Sequence, residues 1–121
     1  MSKVEEIQKG IAQLRLAVPE LKGVLLATTE GLPVAHSLAD GLDPQRFAAM
    51  AAAAVSLAKK FGDNLNAGSM AEITVTGSEA QIYVYAVGAK AVLALAAPAA
   101  SNAGLIHLEA RAVAQSFSQL F

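Results

Sequence analysis

Phe47 to Phe61, FAAMAAAAVSLAKKF, decides how the rest of the chain must be arranged. The twelve residues from Phe47 to Ala58 carry no charge, within a chain of nine Lys and Arg against ten Asp and Glu. Asp43 before Pro44 reads as an N-cap and first helical position, and Lys59, Lys60 and Gly62 read as a basic last turn and its stop. Projected at about 100° per residue, Phe47, Met50, Ala51, Ala54, Leu57, Ala58 and Phe61 fall on one side and are expected to form the core stripe. The other side carries Ala48, Ala49, Ala52, Ala53 and Ser56, with Lys59 and Lys60 only at the far end. A solvent-facing helix would normally show Glu, Lys and Gln there. Small residues let two backbones approach closely, so this face is expected to meet another element, most simply the same helix of a second copy. The alternative is a bare face, built of alanine because alanine is the best helix former. An uncharged strip three turns long is a liability when exposed, which favours contact. A glutamate in place of Ala52 is then expected to weaken self-association, because it puts a charge into a close apolar contact.

Upstream, Val4, Ile7, Ile11, Leu14 and Val18 recur at helical spacing between polar residues, and Pro19 ends that helix. Gly10 weakens it slightly. Val24 to Ala27 reads as a strand, Thr29 to Gly31 as a tight turn, and LPVAHS as the returning strand of a hairpin. Pro33 cannot donate to a ladder, so this strand is expected at a sheet edge or with a bulge. Downstream, Ala71, Ile73 and Val75 alternate with Glu72, Thr74 and Thr76, which predicts a half-wet strand. AQIYVYAV is covered on both faces and AVLALAA suits the most buried strand, stopped by Pro98. Ser101 and Asn102 are candidate N-caps for a last helix with Ile106, Ala110, Val113, Phe117 and Leu120 in one apolar line. The order is αββαβββα: an α+β domain spanning residues 1–121, its five-stranded antiparallel sheet covered by three helices.

Composition excludes several classes of function. The hydrophobic share of 55% with only 5% aromatics implies a core of Ala, Val, Leu and Ile in closely packed elements. No cysteine is present, which removes disulfides and thiolate zinc sites and is compatible with a cytoplasmic protein. A net charge of -1 gives no broad basic surface, so no nucleic-acid partner is expected. Every apolar run is too short or too interrupted to cross a bilayer, and no signal peptide opens the chain, so no membrane insertion is expected.

EGLPVAHS, then LDPQRFAAMAAAAVSLAKKF, then ASNAGLIHLEARAVAQSF stand in the order and spacing of the roadblock/dynein light chain domain family, including its MglB-like bacterial members. The resemblance runs from about Val4 to Phe117, and its most specific pieces are Glu30 to Leu32 and Asn102 to Leu105. It implies a profilin-like sheet with helices on both faces, homodimerised through the central helix and the neighbouring edge strand. Joined to the small-residue helix face, this gives an expected interface of Ala48, Ala49, Ala52, Ala53, Ser56, Lys59, Glu72, Thr74 and Thr76. The resemblance also implies a dimeric platform for a small Ras-like GTPase, whose GTP hydrolysis such a partner promotes by repositioning the GTPase's own catalytic groups. A structural adaptor that joins other proteins without regard to nucleotide is the alternative, since a fold does not carry its activity with it.

No chemistry of the chain's own is expected: no catalytic residue, cofactor or metal site. His36 and His107 are the only histidines, and each reads as solvent-facing or capping because no partner is near in sequence. Asp40 and Asp43 read as turn and cap residues, and Ser56 lacks an activating base. Gly62 and Gly68 have no GKS or GKT nearby to make a phosphate cradle. Arg46 and Arg111 are the candidates for an inserted arginine finger, and each reads more simply as a surface arginine. A small-molecule sensor or enzyme would need a convergent polar pocket, and none is visible in the sequence.

Overall fold

Two helices and three turns' worth of alanine could pack in many ways; the order in which the strands pair fixes one of them. The computed structural model describes residues 2–69 and 72–121. Its elements are α1 (Lys3–Ala17), β1 (Gly23–Thr28), β2 (Pro33–Leu38), α2 (Pro44–Asn64), β3 (Glu72–Thr76), β4 (Ala80–Val87), β5 (Ala91–Pro98) and α3 (Ala103–Ser118). The strands form one sheet in the order β2-β1-β5-β4-β3, and every neighbouring pair is antiparallel. The apolar run of β5 occupies the centre, where both faces are covered, and Pro33 lies on edge strand β2 opposite a register shift between Leu26 and Ala27. Ala71, expected on the apolar side of β3, lies outside the described residues.

Because β2 and β3 are opposite edges, the segment joining them must cross the whole sheet. Four inter-strand gaps span about 19 Å, and the 21 residues of α2 reach about 31 Å. Thus α2 lies alone across one face. There Phe47, Ala48, Ala51, Ala54 and Val55 pack on Leu25, Ala27, Ile73, Ile82, Val84, Val92 and Ala94. The other face is covered by α1 and α3, with Ile7, Ile11, Leu14, Ile106, Ala110, Val113 and Phe117 over Val24, Leu26, Tyr83, Tyr85, Leu93 and Leu95.

The helix ends follow from local chemistry. Ser2 and Glu5 form a capping box at α1, Asp43 accepts from the Gln45 N–H at 3.0 Å, and Asn102 accepts from Leu105 N–H at 3.1 Å. Gly62 does not stop α2 as expected. The helix continues through it to Asn64, and the chain turns only where Asn66 and Gly68 take positive φ angles of 55° and 82°. Gly10 has a role the sequence did not show: a Cβ there would lie 2.5 Å from Phe117 Cε1, so the bare backbone of α1 admits the aromatic ring of α3.

Candidate functional site

The rotation of α2 differs from the sequence projection and redraws the candidate interface. Ala48 is 0% exposed and buried against Leu25 and Ala27, so it belongs to the core and not to the free face. Met50, Leu57 and Phe61, expected in the core, are 64%, 50% and 44% exposed. Part of the small-residue carpet is used within the chain itself. Gly31, at φ +94°, brings the β1–β2 turn so close that a Cβ would lie 3.3 Å from Ala49 Cα and 3.8 Å from Ala52 Cβ. Ala52 is consequently half-buried under the hairpin, while Ala49, Ala53, Ser56 and Lys59 remain exposed.

On the flank turned away from the hairpin, α2 borders a groove of about 320 Å³ whose lining includes Leu42, Asp43, Arg46, Phe47, Met50, Ala54, Val75 and Ile82. The sequence-expected strand residues Glu72, Thr74 and Thr76 do not face it. They pair with Tyr85, Tyr83 and Gln81, which puts their side chains on the α1/α3 side of the sheet. The side that borders α2 carries Ile73 and Val75, the latter 52% exposed. The exposed surface of α2 thus runs from Ala53, Ser56 and Leu57 through Met50 and Phe61 to Val75 and the unpaired backbone of edge strand β3. An open edge is a template for another strand, and an apolar surface beside it needs cover.

Beneath the other side of β3 lies a polar cluster whose members are too far apart in the sequence to be recognised there. Arg111 of α3 grips Glu72 through both its Nε and its terminal nitrogen, the latter at 2.8 Å from Oε1. His107 stands 2.9 Å from the Tyr85 hydroxyl through Nδ1 and 3.8 Å from Glu72 Oε1, with Tyr83 and Tyr85 edge-on to its ring. It is therefore neither a cap nor simply solvent-facing: Asn102 caps α3, and His107 is half-buried among partners. His36 is exposed on β2. Arg111 is committed to Glu72, while Arg46 stays exposed in the first turn of α2. Among the described residues no group of three or more His, Asp or Glu side chains is placed to hold a metal ion, and no helix is long and apolar enough to cross a membrane.

The Arg111 hydrogen bonds hold the Glu72 carboxyl below its ordinary value of 4.5, against a smaller opposing effect of burial. A depressed carboxyl pKa contributes stability in full above the ordinary value, and that contribution is lost as the pH falls through the lower folded value. Glu72→Gln is therefore expected to lower stability modestly at neutral pH and to converge with the natural chain in acid. Urea midpoints at about pH 7 and about pH 3 check this.

A helix crossing one face of a β2-β1-β5-β4-β3 sheet, with two more behind it, is an arrangement that known domains share. The Roadblock/LC7 domain model matches residues 8–97, from α1 through β5. The chain belongs to the Roadblock/LC7 domain family. MglB from Myxococcus xanthus superposes with a TM-score of 0.89 at 16% identity, over 100% of this chain and 91% of that one. A Roadblock/LC7 domain from Streptomyces avermitilis gives 0.85 at 20% identity, over 93% and 94%. The likeness of fold extends to profilin II of Acanthamoeba castellanii, with a TM-score of 0.62 at 16% identity over 92% and 96%, so the Roadblock/LC7 chain has the profilin-like sheet that the sequence led one to expect. No curated protein sequence matches the chain significantly. Roadblock/LC7 and MglB-like domains are regulatory or adaptor domains, and at the level of the family they are associated with small GTPases.

Proposed function

We propose that this Roadblock/LC7 protein is a homodimeric platform that binds a small Ras-like GTPase and promotes GTP hydrolysis without donating a catalytic residue. The observation that carries the dimer is the continuity of an exposed, partly apolar α2 surface with the open edge of β3. In an isolated chain Met50, Leu57, Phe61 and Val75 would all meet water, and pairing two such surfaces about a two-fold axis covers them at once. The GTPase is proposed on the strength of family membership, with MglB as the structural relative. Engagement of Arg111 by Glu72 counts against one of the two candidates for an inserted arginine and leaves Arg46 as the other.

The test is a pull-down with the full chain in the presence of a GTP analogue or of GDP, followed by hydrolysis assays on purified components. Capture of a Ras-like GTPase in one nucleotide state, with hydrolysis accelerated at least about tenfold, is expected; a trans-acting contribution of this kind commonly reaches well beyond that. Equal capture in both states would assign the dimer to scaffolding, and recovery of no GTPase in either state would overturn the reading.

A further inference from the structure

His107 is where β3, β4 and α3 exchange polar contacts. The titratable and charged groups facing it are Glu72 on β3, Tyr83 and Tyr85 on β4, and Arg111 one turn further along its own helix. A neutral imidazole and an imidazolium use Nδ1 in opposite ways. In the neutral ring with its hydrogen on Nε2, Nδ1 accepts from the Tyr85 hydroxyl at 2.9 Å. That phenol keeps its proton, because burial pushes its ionisation upward. Once protonated, Nδ1 can only donate, and the anion within reach is Glu72 Oε1 at 3.8 Å.

We propose that His107 is a pH-sensitive latch that fastens the edge strand β3 to α3. Taking up a proton from solvent turns Nδ1 from acceptor to donor, with the Tyr85 oxygen and the Glu72 carboxylate as the groups it can face. It also gives the single carboxylate at the start of β3 a second cationic partner beside Arg111. Repulsion between His107 and Arg111, four residues apart on one helix face, opposes the latch. The carboxylate lies against both cations, within 4 Å of each, and screens them from one another. Histidine is the side chain whose ordinary titration falls between pH 5 and 8, which sets the range over which the proposal is tested. The latch lies wholly within one chain and does not depend on the dimer proposed above.

The measurement is hydrogen-exchange protection of the Ile73 to Thr76 amides in the full chain, corrected for intrinsic exchange, between about pH 8 and about pH 5.5. In the natural chain protection is expected to rise about threefold on acidification, the scale of an added partly exposed ion pair. It should stay flat in His107→Gln, which cannot titrate, and in Glu72→Gln, which keeps the histidine and removes its anion. The same rise in a variant held monomeric by Ala53→Glu separates the latch from edge pairing. A flat profile in the natural chain, or an equal rise in either His107→Gln or Glu72→Gln, overturns the proposal.

Discussion

Ala53→Glu is expected to raise the dissociation constant of the homodimer about a hundredfold while leaving the protomer folded. Ala53 is exposed on α2, away from the buried line of Ala48, Ala51, Val55 and Ala58. In the proposed dimer the same position meets the partner's α2. A carboxylate there must be desolvated opposite small apolar side chains, and its two-fold mate adds a like charge nearby. An unpaired buried charge costs about 3 kcal/mol or more, which corresponds to the hundredfold change. The sequence alone favoured Ala52 for this test. The structure moves it, because Ala52 lies half-buried beside the Gly31 turn, where glutamate would disturb the hairpin and confuse folding with association. Sedimentation velocity over a concentration series, with circular dichroism as the check on folding, reads the result. A variant that dimerises like the natural chain removes α2 from the interface.

The second large effect concerns the opposite face of the sheet. Gly10→Val is expected to destabilise the protomer by about 2–3 kcal/mol, seen as a fall in melting temperature of about 10 °C. Its Cβ alone would overlap the edge of the Phe117 ring, at 2.5 Å and 2.6 Å from two ring carbons, and Val113 Cγ1 lies at 3.5 Å. Phe117 is one of the largest fully buried side chains, so a shift of its ring toward the groove that Gly10, Val113 and Phe117 line gives up close core packing. The helices must separate or the ring must leave its rotamer. Thermal unfolding of the two proteins side by side reads the difference, and an unchanged midpoint would show that α1 and α3 are not in register as described.

These two sites also show what the residues could and could not disclose. Element order was legible because periodicity changes cleanly: spacing of three and four in α1 and α3, alternation in β3, continuous apolar runs in β4 and β5. Pro33 pointed to an edge position or a bulge for β2, and the strand lies at an edge beside a register shift. The phase of α2 was not legible. When most positions are alanine, both sides of the helix score as apolar, and hydrophobicity cannot say which side faces the sheet. What decides is distance: Ala48, Ala51, Ala58 and Gly62 lie beneath because the helix rests close on the sheet, and the larger Met50, Leu57 and Phe61 are left outside. The Glu72–Arg111 and Tyr85–His107 contacts join residues 39 and 22 positions apart, so their partners appear only once β3, β4 and α3 are stacked. Likewise Gly10 looked like a weak spot in a helix until Phe117 came to lie against it.

The most direct test of the account uses the absence of cysteine from the natural chain, which lets one introduced thiol report only on contact between copies. Ala53→Cys on the outer face of α2 and Gln13→Cys on the exposed side of α1 are each treated with a short bismaleimide at low protein concentration. Ala53→Cys is expected to convert rapidly to a covalent species of twice the 12.4 kDa chain mass, with Gln13→Cys left monomeric. Equal linkage of the two variants, or linkage of Gln13→Cys alone, would contradict it.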